Sequence, residues 1–206
     1  MQTTTVFIVR HGQTEWNLLG KMQGHQDSSL TLNGERQGDL LGKVLATVPL
    51  AAIYSSTSRR ALHTAELIAG ERKIPLIQTE DLQEIHLGAW EGKTKEEVQL
   101  ADPEQYHYFW NSPADFQAAG SETFASAENR AKRALERVIS AHHGEAVLLV
   151  THSVIVKLLM AYFEQRPLQE LWLDPYIHPG SLCKIDVSAD GRSEILLHAD
   201  INHLSE

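Results

Sequence analysis

Three short apolar runs in this sequence end in residues that could do chemistry together. Val6–Val9 runs into Arg10-His11-Gly12, Leu50–Tyr54 runs into Ser55 through Arg60, and Ala146–Val150 runs into Thr151-His152. If the runs are strands of an open parallel sheet, their carboxyl ends lie side by side, where such sheets bind ligands. Two histidines and two arginines gathered there make a positive pocket. A phosphate suits it, because arginine presents its donors in a planar fork and a helix start adds backbone N–H groups and a favourable dipole.

The elements that must position these groups follow from the pattern. Val6-Phe-Ile-Val9 is β-branched and aromatic and reads as a strand buried on both faces. Thr31 can cap a helix carrying Leu40, Leu41, Val44, Leu45 and Val48 at helical spacing until Pro49 stops it. Ser55-Ser-Thr-Ser58 forms an N-cap cluster for a helix with Ala61, Ala65 and Ile68 on one stripe and Gly70 at its end. Pro75–Gln78 is a weaker strand. The stretch from about 93 to 123 is the least regular: a short helix at Thr94–Ala101, then Tyr106, Tyr108, Phe109 and Trp110, which read equally as core packing or as an apolar wall beside a ligand. A long helix over Phe124–His143, the strand Ala146–Val150, an apolar helix from Val154 to Phe163, and strands at Leu182–Val187 and Ile195–His198 complete the chain. With no repeat, low-complexity segment or Pro/Gly/Ser-rich linker, the expectation is a single α/β domain over residues 1–206. It is a three-layer sandwich with a mostly parallel central sheet flanked by helices, and residues 93–123 form a lid-like insertion over the site.

Composition excludes several classes. The 206 residues are 42% hydrophobic, enough for a sizeable core. A net charge of −9, from 27 acidic and 18 basic side chains, repels polyanions at long range, so neither nucleic acid nor an anionic membrane is expected as a partner. The single Cys183 excludes an internal disulfide and fits a cytoplasmic setting; Met1-Gln-Thr-Thr-Thr does not open like a signal peptide, and no apolar run approaches the ~18 residues that span a bilayer. His142, His143, His198 and His203 lack the helical spacing of a zinc site, so no metal and no cofactor are expected. The protein should be a monomer or a homodimer.

The motifs are similar to those of a known family. Arg10-His11-Gly12-Gln13-Thr14 with Asn17 and Gln23-Gly24, the block Ser55–Ala65, the block Leu82-Gln-Glu84-Ile-His-Leu-Gly-Ala-Trp-Glu-Gly92, and Thr151-His152 together resemble the histidine phosphatase superfamily, in its phosphoglycerate mutase-like branch. The blocks stand in the family's order and reach across most of the chain, closest to small bacterial phosphatases of broad specificity. Two positions depart from the pattern: Gln13 where glutamate is common, and Ser153 where glycine commonly follows the second histidine.

The resemblance implies roles that also make chemical sense. His11 would be the nucleophile, attacking phosphorus through its unprotonated ring nitrogen. Arg10 and Arg60 would oppose its protonation and stabilise the transferring phosphoryl oxygens, and His152 would be a second positive donor on them. The family places the functional arginine directly before the alanine, which selects Arg60 over its neighbour Arg59. Glu84, rather than Asp81, His86 or Glu91 nearby, would give a proton to the leaving alkoxide and take one from water. Asn17, Gln23, Gly24 and Ser153 would bind the phosphate, and Gly12 would let the backbone approach it. No metal is needed for such a mechanism. The substrate would be a small phosphate monoester. After Lys93 and Lys95 the insertion has no Lys or Arg until Arg130, while Asp102, Glu104, Asp115 and four aromatics populate it. This favours a phosphatase of relaxed specificity for lightly charged or apolar leaving groups. The alternatives are a cofactor-dependent phosphoglycerate mutase and a phosphate-binding protein without catalysis.

Overall fold

The computed structural model describes residues 3–205. Met1 and Gln2, which bear on the reading of the N-terminus, lie outside the described residues. Among the described residues, six strands form one sheet: β1 (Thr3–Arg10), β2 (Leu50–Ser56), β3 (Leu76–Thr79), β4 (Ala146–Thr151), β5 (Leu182–Ser188) and β6 (Ser193–Asp200), in the order β3-β2-β4-β1-β5-β6. β1, β2, β3 and β4 pair in parallel, whereas β5 and β6 add antiparallel to the β1 edge. The register pairs Arg10 with Thr151 and Ser55 with Val150. The carboxyl ends of β1, β4 and β2 therefore stand next to one another, as the three sequence runs require.

The pleat explains the three layers. On β1, Val6 and Ile8 face one core with α6 (Phe124–Ala141) and α7 (Ser153–Glu164), while Phe7 and Val9 face another with α2 (Leu32–Val44) and α3 (Arg59–Ala69). Val147 and Leu149 against Leu148 and Val150 divide β4 in the same way. Each of these side chains is buried, and each contributes roughly 1.5–3 kcal/mol through burial.

Element ends differ from expectation in instructive ways. α2 stops at Val44, short of Pro49, because the chain turns through Val48 N–H to Leu45 carbonyl and the residue before proline disfavours helical geometry. Ser58 occupies the N-cap of α3, yet its side chain makes no capping bond; the Asp27 carboxylate takes the Arg59 N–H at 2.5 Å instead. Thr94 caps α4 (Lys95–Ala101) with a reciprocal bond from Glu97. Beyond it lies an element absent from the sequence reading, α5 (Pro103–Asn111), with proline in its first turn. Its contiguous aromatics mask the helical period. The 93–123 segment is packed into the larger core through Val98, Phe109, Phe116 and Ala118.

Candidate active site

At the carboxyl ends of β1, β2 and β4 a cleft of about 510 Å³ opens, lined at its base by Arg10, His11, Arg60, Glu84 and Ser153. His152 is fully buried beside it, its ring centroid 5.1 Å from that of His11. The five residues assigned to catalysis, from four distant blocks of sequence, are brought together.

The His11 ring is held in one tautomer. Its Nδ1 donates to the Gly12 carbonyl at 2.8 Å, so Nδ1 carries the proton and Nε2 carries the lone pair. Arg60 Nε–H points at that lone pair from 3.3 Å. Burial first, then the positive charges of Arg60 and Arg10, push the imidazole well below its ordinary pKa, against the Gly12 bond. The ring is neutral at pH 7. His152 is pushed well below its ordinary value in the same way, by burial and then Arg60, so it does not carry the positive charge expected of it. Its Nε2 lies 2.8 Å from Ser56 Oγ, and Nδ1 has no hydrogen-bond partner.

Arg60, 1% exposed, is gripped by three acceptors: its guanidinium donates to the Gly24 carbonyl at 2.8 Å, the Gln26 carbonyl at 2.8 Å and the Asp27 carboxylate at 2.9 Å. Arg59 is exposed, which leaves Arg60 as the arginine of the site. Arg10 donates to the Ile177 carbonyl at 2.6 Å, with the Tyr176 hydroxyl against it and Nε unpartnered.

Glu84 sits where its loop meets the start of α7. Its two oxygens accept the N–H groups of Ile85 and Val154 at 3.0 and 3.2 Å. Burial raises its pKa, opposed by those two bonds and by Arg60 and Arg10. The neighbouring carboxylates have structural work: Glu91 accepts N–H groups from His25, Gln26 and Leu87, and Asp81 pairs with Arg137. Arg130 fixes the Glu84 loop through the carbonyls of Asp81, Gln83 and Glu84 at 3.0, 2.6 and 2.9 Å.

Of the residues assigned to phosphate binding, Asn17, Gln23, Gly24 and Ser153 line the cleft. Asn17 uses its amide oxygen to cap α1 (Glu15–Leu18) through the Thr14 N–H, which leaves its NH2 for a ligand. Both ends of the Gln23 amide are engaged, by Thr14 and Ser28. Gly24 has φ +54° and supplies a carbonyl to Arg60. Gly12 needs correction. A Cβ there would lie 2.3 Å from the Gly34 carbonyl oxygen, so the glycine lets β1 and α2 close on each other rather than admitting a ligand. The helix starts also differ from expectation: first-turn N–H groups of α3 and α7 are taken by the carboxylates of Asp27 and Glu84.

Sequence reasoning missed Asp27, Ser56, Arg130 and the segment around Tyr176. Asp27 gives no local signal of this role, because the two arginines it holds lie more than thirty residues away. The outer cleft is walled by Phe109, Trp110, Trp172 and Tyr176, with Lys21, Lys95 and Lys157 also lining it. The acids of the insertion do not line it: Asp102 accepts from Trp90 Nε1 and Glu104 from Tyr108. Among the described residues, no helix is long and apolar enough to cross a membrane.

A mostly parallel sheet thus brings two histidines and two arginines together at neighbouring strand ends. Residues 6–200 match the Histidine phosphatase superfamily (branch 1), and the chain belongs to that family. It is 33% identical over 167 residues to phosphoserine phosphatase 1 of Hydrogenobacter thermophilus, covering 81% of this chain and 79% of that protein. It is 36% identical over 162 residues to a metal-independent phosphoserine phosphatase of Arabidopsis thaliana, covering 76% and 67%. The solved structure of Bacillus stearothermophilus YhfR superposes with a TM-score of 0.95 at 45% identity, covering 98% of this chain and 99% of that one. The protein is an enzyme of this phosphatase superfamily.

Proposed function

We propose that the protein hydrolyses phosphate monoesters through a phosphohistidine formed on His11 Nε2. The observation that carries this reading is the ring itself: a neutral imidazole whose proton is fixed on Nδ1 by the Gly12 carbonyl and whose lone pair faces Arg60. The Nε2 lone pair forms the N–P bond as the ester P–O bond breaks, and protonated Glu84 gives its proton to the departing oxygen, releasing an alcohol. Water then attacks phosphorus, Glu84 takes its proton, the P–N bond breaks, and phosphate leaves with His11 restored. Arg10, Arg60 and the Asn17 amide stabilise the phosphoryl oxygens. His152, its ring centroid 5.1 Å from that of His11, adds a further donor from beside the cleft. Ser153 borders the same space, and Gln23 and Gly24 hold the loop that grips Arg60.

The aromatic walls favour an apolar or aromatic leaving group of low charge, and the 93–123 segment, through Phe109 and Trp110, acts as the lid on that side. A mutase is the second reading, favoured by Lys21 and Lys95 at the cleft: among the described residues neither is ion-paired, and each ammonium lies over an indole, at 5.4 Å from Trp16 and 5.1 Å from Trp110. The test is turnover of an aryl phosphate with chelator present, and trapping of an acid-labile, base-stable phosphoenzyme. Both are expected in the wild type and absent in His11→Ala. A phosphoenzyme that persists in the variant assigns the nucleophile elsewhere, and faster formation of 2-phosphoglycerate than of free phosphate from primed 3-phosphoglycerate favours the mutase.

A further inference from the structure

The segment 171–181 runs along one side of the cleft and is attached to three parts of the fold. Toward α5, Trp172 Nε1 donates to the Phe109 carbonyl at 2.6 Å, and its ring lies 4.6 Å from that of Trp110. Toward β1, the Ile177 carbonyl accepts from Arg10 at 2.6 Å, and the Gly180 N–H is shared between the carbonyls of Arg10 and His11 at 3.1 and 3.2 Å. Toward α7, Lys157 Nζ donates to the Leu173 carbonyl, reinforced by Arg166 at 3.3 Å from each of the Leu173 and Asp174 carbonyls.

Lys157 is the unusual member of these attachments. It lies among the apolar residues of α7 and is only 5% exposed. Burying an ammonium is costly unless its donors are met, so a lysine here calls for a structural partner. Its partner is a backbone carbonyl four residues before the one that holds Arg10. The helix it stands on carries His152 at its N-cap and gives the Val154 N–H to Glu84. One side chain thus ties the half of the site that contains His152 and Glu84 to the segment that aims Arg10.

We propose that Lys157 is a positioning residue for the phosphate end of the cleft: its bond to the Leu173 carbonyl sets where Ile177 and Tyr176 stand, and through them the Arg10 guanidinium. The inference rests on the phosphatase reading for its kinetic consequence and on phosphate binding alone for its decisive test. Lys157→Met keeps the apolar stem and removes the donor, whereas Lys157→Arg keeps a donor within reach of the same carbonyl. With inorganic phosphate as the probe, measured by calorimetry, Lys157→Met should weaken binding about tenfold, the scale of losing one charged hydrogen bond. Lys157→Arg should recover most of the affinity. In the Arg10→Ala background the Lys157→Met effect should largely vanish, because the two act in series.

An unchanged phosphate Kd in folded Lys157→Met would overturn the proposal. If only the melting temperature fell, the lysine would merely stabilise the fold; if only the KM of esters rose, it would touch the leaving group directly. Should Lys157→Met not fold, Arg166→Gln loosens the same tie and should weaken phosphate binding two- to threefold, and no change there would equally refute the idea. The phosphate Kd decides the role of Lys157 even if ester turnover, on which the phosphatase reading depends, is not found.

Discussion

Replacing Glu84 by glutamine separates the proton donor from the rest of the machinery. The carboxyl accepts two backbone N–H groups, at 3.0 and 3.2 Å, and a carboxamide can accept only one of them. Leaving the other N–H unmet costs about 1–3 kcal/mol of stability. For a chain of this size that is about 2–4 °C of melting temperature per kcal/mol, so the variant should remain folded at assay temperature. The chemical loss is larger. General acid catalysis contributes roughly 10²- to 10⁴-fold, or about 2.7–5.4 kcal/mol of barrier, but only where the leaving group needs the proton. Glu84→Gln should therefore lower kcat/KM by that factor for an alkyl phosphate and far less for an aryl phosphate whose phenolate departs unprotonated. The pH profile supplies an independent sign. Burial raises the Glu84 pKa, so the wild type should lose activity on a basic limb lying above the ordinary carboxyl range, and that limb should disappear in the variant. Steady-state kinetics on the two ester types across pH is the assay. Equal losses for both, or a basic limb that survives, would refute Glu84 as the donor.

Further expectations concern titration, packing and the thiol. Because burial and the arginines hold His11 and His152 below the ordinary imidazole pKa, the unfolded chain binds more protons than the folded one as pH falls below ~6.5, and stability should fall with it. The slope is about 1.4 kcal/mol per pH unit for each such group; raised Glu84 counts the opposite way, so urea melts of His152→Ala against wild type should show the variant losing less between pH 6.5 and 5. No difference would mean that His152 is protonated in the folded state. Gly12→Ala should destabilise by about 1–3 kcal/mol through collision with the Gly34 carbonyl, visible in thermal melts. Cys183 is fully buried, with its thiol pushed up to about 12, so alkylating reagents should neither label the native protein nor reduce its turnover.

Much of the site was legible because its parts are local. Arg10-His11, Arg60 and Thr151-His152 each follow an apolar run whose period declares a strand, and parallel pairing puts such ends together. Glu84 was legible through its motif, and the choice of Arg60 over Arg59 through the alanine that follows. The aromatics at 106–110 were legible as a patch but not as α5, because adjacent rings show no helical period. The acids of the insertion carry a lesson about averaging: composition suggested an acidic lid, while Asp102 and Glu104 are turned to Trp90 and Tyr108 and lysines line the cleft.

What the sequence determined by itself is the set of elements and the chemical types at their ends, since hydrophobic period and strand-end residues are properties of a few consecutive positions. Tertiary structure decided what those residues can do. The proton on His11 Nδ1 is fixed by the Gly12 carbonyl, the aim of Arg60 by Asp27 and two carbonyls of another loop, that of Arg10 by Ile177, and the raised Glu84 by burial. Apart from the Gly12 bond, which closes within one residue, these are contacts across 33 to 167 positions or effects of desolvation. Both exist only once water has been excluded and distant segments have met, and that is where the chemistry of this protein is set.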